Sequence, residues 1–385
     1  MSAKTPAAEP VLSVVIPTRE RADTLAHTLA SALDQADGDF EVVVSDNASQ
    51  DGTADVVQSA SDARLRYLNT GRRLSMCDNY EFALDHSRGR YVVIIGDDDA
   101  VIPGALDYLV ARLRQQVEPA VHMWPLHVYD WPVGKQKARV SHLASQSPGR
   151  TVLLKDKARW VVRMGGWRYY QLPSPYHSAV PRSILDAIRS RTGRVFHSTQ
   201  PDVFTALAIP AFADYAIDIG RSVTMNGRSA RSNGMGFVAR SAQSNIDRFI
   251  KEYRDYRFHP TLSEALSPRA NMIPDAVLIA KDMFPELYGD VKFGYDAMLA
   301  YVARLRFASH SEILYKARHI RKRHPFSIAA FLRYSAVHEA AAVRRRILDS
   351  TSSTTELHRD VPANIYEFVR RVRDTDPLPP AAVTW

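Results

Sequence analysis

The 385-residue chain contains a single cysteine, Cys77. One thiol excludes an internal disulfide and any zinc site built from several cysteines. No stretch approaches the ~18 consecutive apolar residues that a membrane-spanning helix needs. The opening MSAKTPAAEP has one lysine and no apolar core, so no secretory signal is expected there and a cytoplasmic setting is the default. Two phosphate-binding signatures are missing as well. No GxGxxG follows the first apolar run, and no GxxxxGK followed by Ser or Thr occurs, which excludes the usual dinucleotide fingerprint and P-loop chemistry.

What is present is the composition of a globular protein, 45% hydrophobic and 24% charged, which rules out disorder and collagen-like repeats as the main structure. The net charge of +8 is regional. Residues 301–350 hold eleven Lys and Arg, from Arg304 to Arg346, against Glu312, Glu339 and Asp349, and eleven minus three is the whole excess. Such a stretch attracts polyanions, among them nucleic acid, anionic lipid headgroups and lipid-linked pyrophosphate. A set of solvated helix faces is the other reading. RHIRKRH (318–324) comes without nucleic-acid motifs or interleaved aromatic platforms, so no nucleic-acid partner is expected.

Residues 1–10 read as a flexible tail. Four apolar runs then read as strands: VLSVVIPT (11–18), FEVVVSD (40–46), LRYLN (65–69) and YVVIIG (91–96). Helical spacing follows each of them. Residues 22–35 place Leu25, Leu29, Ala32 and Leu33 on one face with Asp23 as candidate N-cap, and further helices are expected near 53–60, over 75–87, and from Pro103 to about 115. Strands alternating with helices at this spacing give an α/β, mostly parallel sheet with helices on both faces. Beyond 120 the rhythm loosens into strand and loop (121–150), helices near 155–165, 182–191 and 201–212, and an aromatic loop GGWRYYQLPSPYH (165–177). Helices are expected at 244–256, 293–306, 311–323, 327–348 and 362–373. The division is an α/β domain over 11–235 and a mostly helical region over 236–385 packed on it.

In open α/β sheets ligands bind beyond the carboxyl ends of the strands. Three such ends carry polar clusters: Thr18-Arg19-Glu20, Asp46-Asn47 and Asp97-Asp98-Asp99. Three consecutive aspartates repel one another, and a hard divalent cation, Mg²⁺ or Mn²⁺, relieves that repulsion through oxygen ligands while sharing the phosphates of a substrate. Capping of the following helix is the competing reading.

The strand VSVVIPT-like run, then SDNASQDGT, then Asn79 with its helix, then RGRYVVIIGDDDAVIPGAL resembles the family 2 glycosyltransferases with the GT-A fold (nucleotide-diphospho-sugar transferases, Rossmann-like). The quoted segments span residues 12–106, and weaker correspondences reach about 235. The GDDD form resembles bacterial enzymes of surface-polysaccharide synthesis, including the abequosyltransferase-like branch. The resemblance implies a nucleotide diphosphate sugar donor of UDP, GDP, dTDP or CDP type, a glycan or lipid-linked acceptor, and an inverting, metal-dependent transfer. It places Pro17, Thr18, Arg19 and Glu20 at the nucleobase and diphosphate, Asp46 on the base, and Asp97 on the ribose. It makes Asp98 the metal ligand, with Asp99 beside it and the two not separated. Asp78-Asn79 stands where the family often has Arg-Asn, and Arg72 or Arg73 would substitute for the missing phosphate contact.

The resemblance also implies a catalytic carboxylate near a helix start about a hundred residues after the acidic motif. TQPDVFTALAI offers Asp202, which capping of its helix explains equally. Trp167, Tyr169, Tyr170, Tyr176 and His177 would give flat faces to an acceptor sugar, or serve as ordinary core. Arg228, Arg231 and Ser232 in NGRSARSNG (226–234) would touch phosphates. The basic stretch 301–350 would make peripheral contact with the anionic inner face of the membrane. A sugar-phosphate nucleotidyltransferase is the alternative enzyme class, although PTRERAD lacks the glycine-rich loop of that class. A non-catalytic nucleotide-sugar or glycan-binding protein of the same fold is the other alternative.

Overall fold

The computed structural model describes residues 9–36, 38–231, 249, 251–253, 256–262, 268–304, 315, 317–318, 327–352 and 356–375. Its centre is an eight-stranded sheet in the order β3-β2-β1-β4-β10-β6-β11-β9. These strands are β1 (Leu12–Thr18), β2 (Phe40–Asp46), β3 (Leu65–Asn69), β4 (Tyr91–Ile94), β6 (Val121–Met123), β9 (Arg150–Leu153), β10 (Ser178–Pro181) and β11 (Tyr215–Asp218). The first four pair in parallel, with Leu12 to Thr18 opposite Phe40 to Asp46 residue for residue. β10 runs antiparallel to both β4 and β6, and β6 and β11 are again parallel. A smaller sheet, β5-β12-β7-β8, stands beside it, made of β5 (Ala100–Val101), β12 (Thr224–Arg228), β7 (His127–Asp130) and β8 (Arg139–His142).

β1 explains why the core has two layers. Its apolar residues are continuous because both faces of the strand are covered. Leu12, Val14 and Ile16 join the cluster under α1 (Ala22–Leu33), with Leu25, Leu29 and Ala32. Val15 points the other way, into a cluster that takes Leu84 of α3 (Met76–His86) and Phe204 of α7 (Pro201–Ala208). Helices therefore cover both faces, as the α/β reading expected. α2 (Thr53–Ser59), α4 (Ala105–Arg114), α5 (Lys155–Arg163) and α6 (Arg182–Thr192) complete the helices before residue 210.

The C-terminal helices share these same two clusters. Val277, Leu278 and Met298, from helices Pro268–Met283 and Tyr295–Arg304, lie in the α7 cluster. Phe368 and Val369 of helix Ile365–Thr375 lie in the α1 cluster. The end of the chain thus crosses from one face of the sheet to the other.

Several local expectations need correcting. α1 starts at Ala22 without a side-chain cap of its own, so Asp23 is not its N-cap. The free Ala22 N–H donates instead to Asp51 Oδ2 at 3.0 Å, from the turn after β2. Asn226 to Arg228, read as loop, belong to β12. That strand exists because Gly227 lets its backbone pass against Asp98, where a Cβ would meet the Asp98 carbonyl oxygen at 1.6 Å. The 235/236 boundary, most of the helix expected at 244–256, most of that at 311–323, and most of the basic side chains of 301–350 lie outside the described residues.

Candidate functional site

The carboxyl ends of β1 and β4 open onto a cavity of about 810 Å³. On one wall are Pro17 to Arg21, Asn47, Arg73, Asp97 and Asp98, and on another Tyr169, Tyr176 and Asp202. β12 and the turn after it contribute Asn226, Arg228 and Arg231, and the C-terminal segment contributes Phe249 and Glu252.

The three aspartates after β4 do three different things. Asp97 accepts from Thr18 Oγ1 at 2.8 Å and from Arg21 Nη1 at 2.6 Å. Asp98 accepts through Oδ2 from the Ser229 N–H at 3.1 Å and the Ser229 hydroxyl at 2.6 Å. Its Oδ1 lies 3.8 Å from Arg21 Nη1. Burial pushes the Asp98 carboxyl up to about 7, the neighbouring Asp99 and Asp97 push the same way, and Arg21 opposes them. Arg21 loses hydration by burial, yet Asp97 and Asp98 hold its guanidinium firmly charged, above its ordinary value.

Asp99 is fully buried and turned away from the cavity. It accepts from the N–H groups of Gly96 (2.5 Å) and Gly227 (2.7 Å) and from the Tyr176 hydroxyl at 2.9 Å, with His177 Nε2 3.1 Å away. A carboxylate has about four lone-pair sites, and these partners occupy them. Burial acts to raise its pKa, but His177 and the two backbone donors outweigh it and hold Asp99 below the usual range. Asp98 and Asp99 are thereby separated: Asp98 faces the cavity and Asp99 braces β12.

Three further expectations fall differently from the sequence reading. Asp46 is buried and does not line the cavity. The Tyr67 hydroxyl (2.6 Å), Asn69 Nδ2 (3.1 Å) and the Ser49 N–H (2.9 Å) take up its oxygens, and the adjacent Asn47 reaches the wall instead. Trp167 packs against His338, at 4.3 Å between ring centroids, in a cluster with Met164 and Ala297. His177 sits behind Asp99 with its Nδ1 2.8 Å from Thr224 Oγ1. Neither lines the cavity. Tyr170 is exposed outside the cavity, while Ser232 is outside the described residues.

Asp202 does face the cavity, in the first turn of α7. Burial raises its pKa; the backbone N–H groups at the helix start and the Tyr169 hydroxyl act against this by hydrogen bonding to the carboxylate. Arg73 pairs with Glu20, Arg231 with Asp23 at 2.5 Å, and Arg19 with Glu252 at 2.7 Å. The ring of arginines at the mouth is thus held by carboxylates.

Sequence reasoning missed Arg21, Tyr80 and Glu252 on the wall. Arg21 was legible as a third charged residue behind β1. Glu252 was not, because only folding brings it across more than 230 positions to Arg19. Among the described residues no three His, Cys, Asp or Glu side chains form a ready metal-ligand group. Asp98, with Asp97 beside it, could offer carboxylate oxygens to a hard cation, of the kind that commonly shares one or two carboxylates with phosphate oxygens. Arg21 is the cation standing there now.

With this geometry in view, residues 13–166 match the family model described as Glycosyl transferase family 2. Over these residues the chain is similar to that family, and the match covers less than half of its length. The sheet, parallel over β1 to β4, with helices on both faces and further helices after it, is the α/β architecture that the sequence led us to expect. The chain is 35% identical over 109 residues to the GalNAc(5)-diNAcBac-PP-undecaprenol beta-1,3-glucosyltransferase of Campylobacter jejuni, covering 28% of this chain and 35% of that one. It is 52% identical over 62 residues to the validoxylamine A glucosyltransferase of Streptomyces hygroscopicus subsp. jinggangensis, 15% of each chain. Among solved structures, S. aureus TarS 1–349 in complex with UDP-GlcNAc superposes with a TM-score of 0.48 at 14% identity, over 86% of this chain and 92% of that one. The chain spans about a third or less of the length of these curated relatives.

Proposed function

We propose that this chain is an inverting, metal-dependent glycosyltransferase. It moves a sugar from a nucleotide diphosphate sugar to a hydroxyl of a glycan or lipid-linked glycan in surface-polysaccharide synthesis. The observation that carries the reading is that Asp98, Asp97 and Asp202 share one cavity at the carboxyl ends of β1 and β4. The Campylobacter jejuni relative, named for an undecaprenol diphosphate-linked glycan, supports the acceptor class.

Asp98 and Asp97 would hold Mg²⁺ or Mn²⁺ together with the diphosphate. The cation's contribution is electrostatic, stabilising the negative charge that gathers on the leaving diphosphate. Asp202 takes the proton of the acceptor hydroxyl as its oxygen bonds to the anomeric carbon, and the bond from that carbon to the phosphate oxygen breaks. The desolvation of Asp202 makes it a stronger base than an exposed carboxylate, and the Tyr169 hydroxyl fixes its orientation. Arg19, Arg73 and Arg231 exchange their present carboxylate partners for phosphate oxygens. Tyr176 and Tyr169 offer ring faces to the sugars. The basic stretch 301–350 docks on anionic lipid at the inner face of the membrane, and among the described residues no helix is long and apolar enough to cross it.

The test is release of nucleoside diphosphate from a panel of nucleotide sugars, with and without Mn²⁺. Metal-dependent release from one donor that Asp202→Asn abolishes supports the reading. Release of pyrophosphate from a sugar 1-phosphate and a nucleoside triphosphate would replace it with nucleotidyl transfer.

A further inference from the structure

Asp275 is fully buried on helix Pro268–Met283, far in sequence from the acidic motif and outside the matched domain. A buried carboxylate is retained only with partners, and its partners lead to the catalytic side of the cavity. Oδ2 accepts from the Ser198 hydroxyl at 3.1 Å and from the Tyr256 hydroxyl, and Oδ1 from the His259 N–H at 2.7 Å. Ser198 lies four residues ahead of Asp202 and adopts a left-handed backbone, with φ +68°. A non-glycine residue holds that conformation only where its surroundings impose it.

The neighbours of Ser198 show the same imposition. The Thr199 hydroxyl is buried with no hydrogen-bond partner among the described residues. The Gln200 N–H lies 3.4 Å from Ser198 Oγ, and Gln200 O accepts the first helical bond of α7 from Phe204 at 3.0 Å. On the upstream side Glu81 of α3 accepts the N–H groups of Val195 and Phe196, each at 2.6 Å. The segment is thus fastened at one end by the α/β domain, and at the turn itself by the helical region.

We propose that Asp275 is a positioning residue for Asp202: through Ser198 it locks the left-handed turn that sets where α7 begins and so where the Asp202 carboxylate points. The helical region then has a role in the chemistry without touching substrate. The catalytic half of this inference rests on the reading of Asp202 as the base, whereas the claim about the turn does not.

Cys77 makes the turn itself measurable. The chain's only cysteine is buried, and its thiol donates to the Ser198 carbonyl at 2.9 Å. Loosening the turn uncovers it. The experiment compares wild type with Asp275→Asn and Ser198→Ala, which act on the two ends of one hydrogen bond. Glu286→Gln, exposed and paired with Arg191 outside this network, serves as control. Each is assayed for thermal unfolding, labelling of Cys77 by an aromatic disulfide reagent, and transfer kinetics.

Both test variants should stay folded, label Cys77 roughly tenfold faster, and lose at least roughly tenfold in kcat with donor KM unchanged, because a displaced base costs rate rather than donor binding. Glu286→Gln should match wild type in all three. If Asp275→Asn does not fold, Ser198→Ala carries the test. Wild-type labelling in the folded variants overturns the claim about the turn. Faster labelling with unchanged kcat overturns the positioning role. If wild type transfers no sugar from any donor, the proposed activity is what fails, and labelling alone then decides whether Asp275 holds the turn.

Discussion

Replacing Arg21 with methionine keeps most of the side-chain volume and removes the guanidinium that sits 2.6 Å from Asp97 and 3.8 Å from Asp98. Both aspartate side chains are only 4% exposed, and that of Arg21 is 15% exposed. Removing one partner of a buried ion pair costs about 3–5 kcal/mol, because the remaining charge has no compensation. The residual exposure of Arg21 puts the expectation at the lower end, about 3 kcal/mol. At about 2–4 °C per kcal/mol for a large domain, Arg21→Met should unfold roughly 6–12 °C below wild type in EDTA. A divalent cation bound to the freed carboxylates restores much of this, by about 2.7 kcal/mol at a hundredfold excess over its Kd. In wild type the cation must displace Arg21, so its stabilising effect there is smaller. Thermal unfolding of both proteins in EDTA and in Mn²⁺ checks the reasoning. Equal unfolding temperatures in EDTA, or equal Mn²⁺ shifts in the two proteins, would refute it.

Four shorter predictions follow from the same structure. Burial raises the pKa of Asp202, so the base is lost as pH falls through a value above the ordinary carboxylate range of about 4; the acid limb of kcat should lie above that range, and a limb at or below it would contradict the burial. The same shift has a stability sign. A carboxyl with a raised folded pKa loses stability as pH rises through that pKa, so Asp202→Asn should gain on wild type in urea unfolding at neutral pH more than at roughly pH 4. Gly227→Ala places a Cβ 1.6 Å from the Asp98 carbonyl oxygen, and relieving that overlap by backbone movement should cost about 1–3 kcal/mol or more, with nucleotide binding weakened as well. Phe368→Ala should destabilise the α/β domain by about 3–5 kcal/mol, because Phe368 is fully buried beside Tyr129 at 5.8 Å between rings; a separate unfolding transition for the last helix would show that it is not part of that core.

The parts of the fold that could be read from sequence are those whose burial is local and continuous. β1, β2 and β4 are buried strands built around the β-branched runs VVI, VVV and VVI, and α1 repeats its apolar positions at helical spacing. β10 was illegible because SAVP has no pattern of its own and becomes a strand only by pairing with β4 and β6. β12 carries Asn-Gly, a turn signal, whose glycine serves close backbone approach instead. At the site, the acidic run announced itself as a cluster, but which carboxylate faces the cavity is decided by Gly227, Tyr176 and His177, between 77 and 128 residues away. Asp46 and Trp167 had the residue types expected of ligand contacts. Tyr67 and Asn69 on β3, and His338 on helix Ile328–Ser352, claim them for the structure.

The central claim is that Asp98 and its neighbours hold a nucleoside diphosphate through a divalent cation. Calorimetric titration of UDP, GDP, CDP and dTDP into wild type and Asp98→Ala, each with and without Mn²⁺, tests it most directly. The account predicts that one nucleotide binds wild type only with Mn²⁺, and that Asp98→Ala stays folded and loses this binding. Binding that ignores both Mn²⁺ and the substitution, or no binding by any nucleotide, would contradict it.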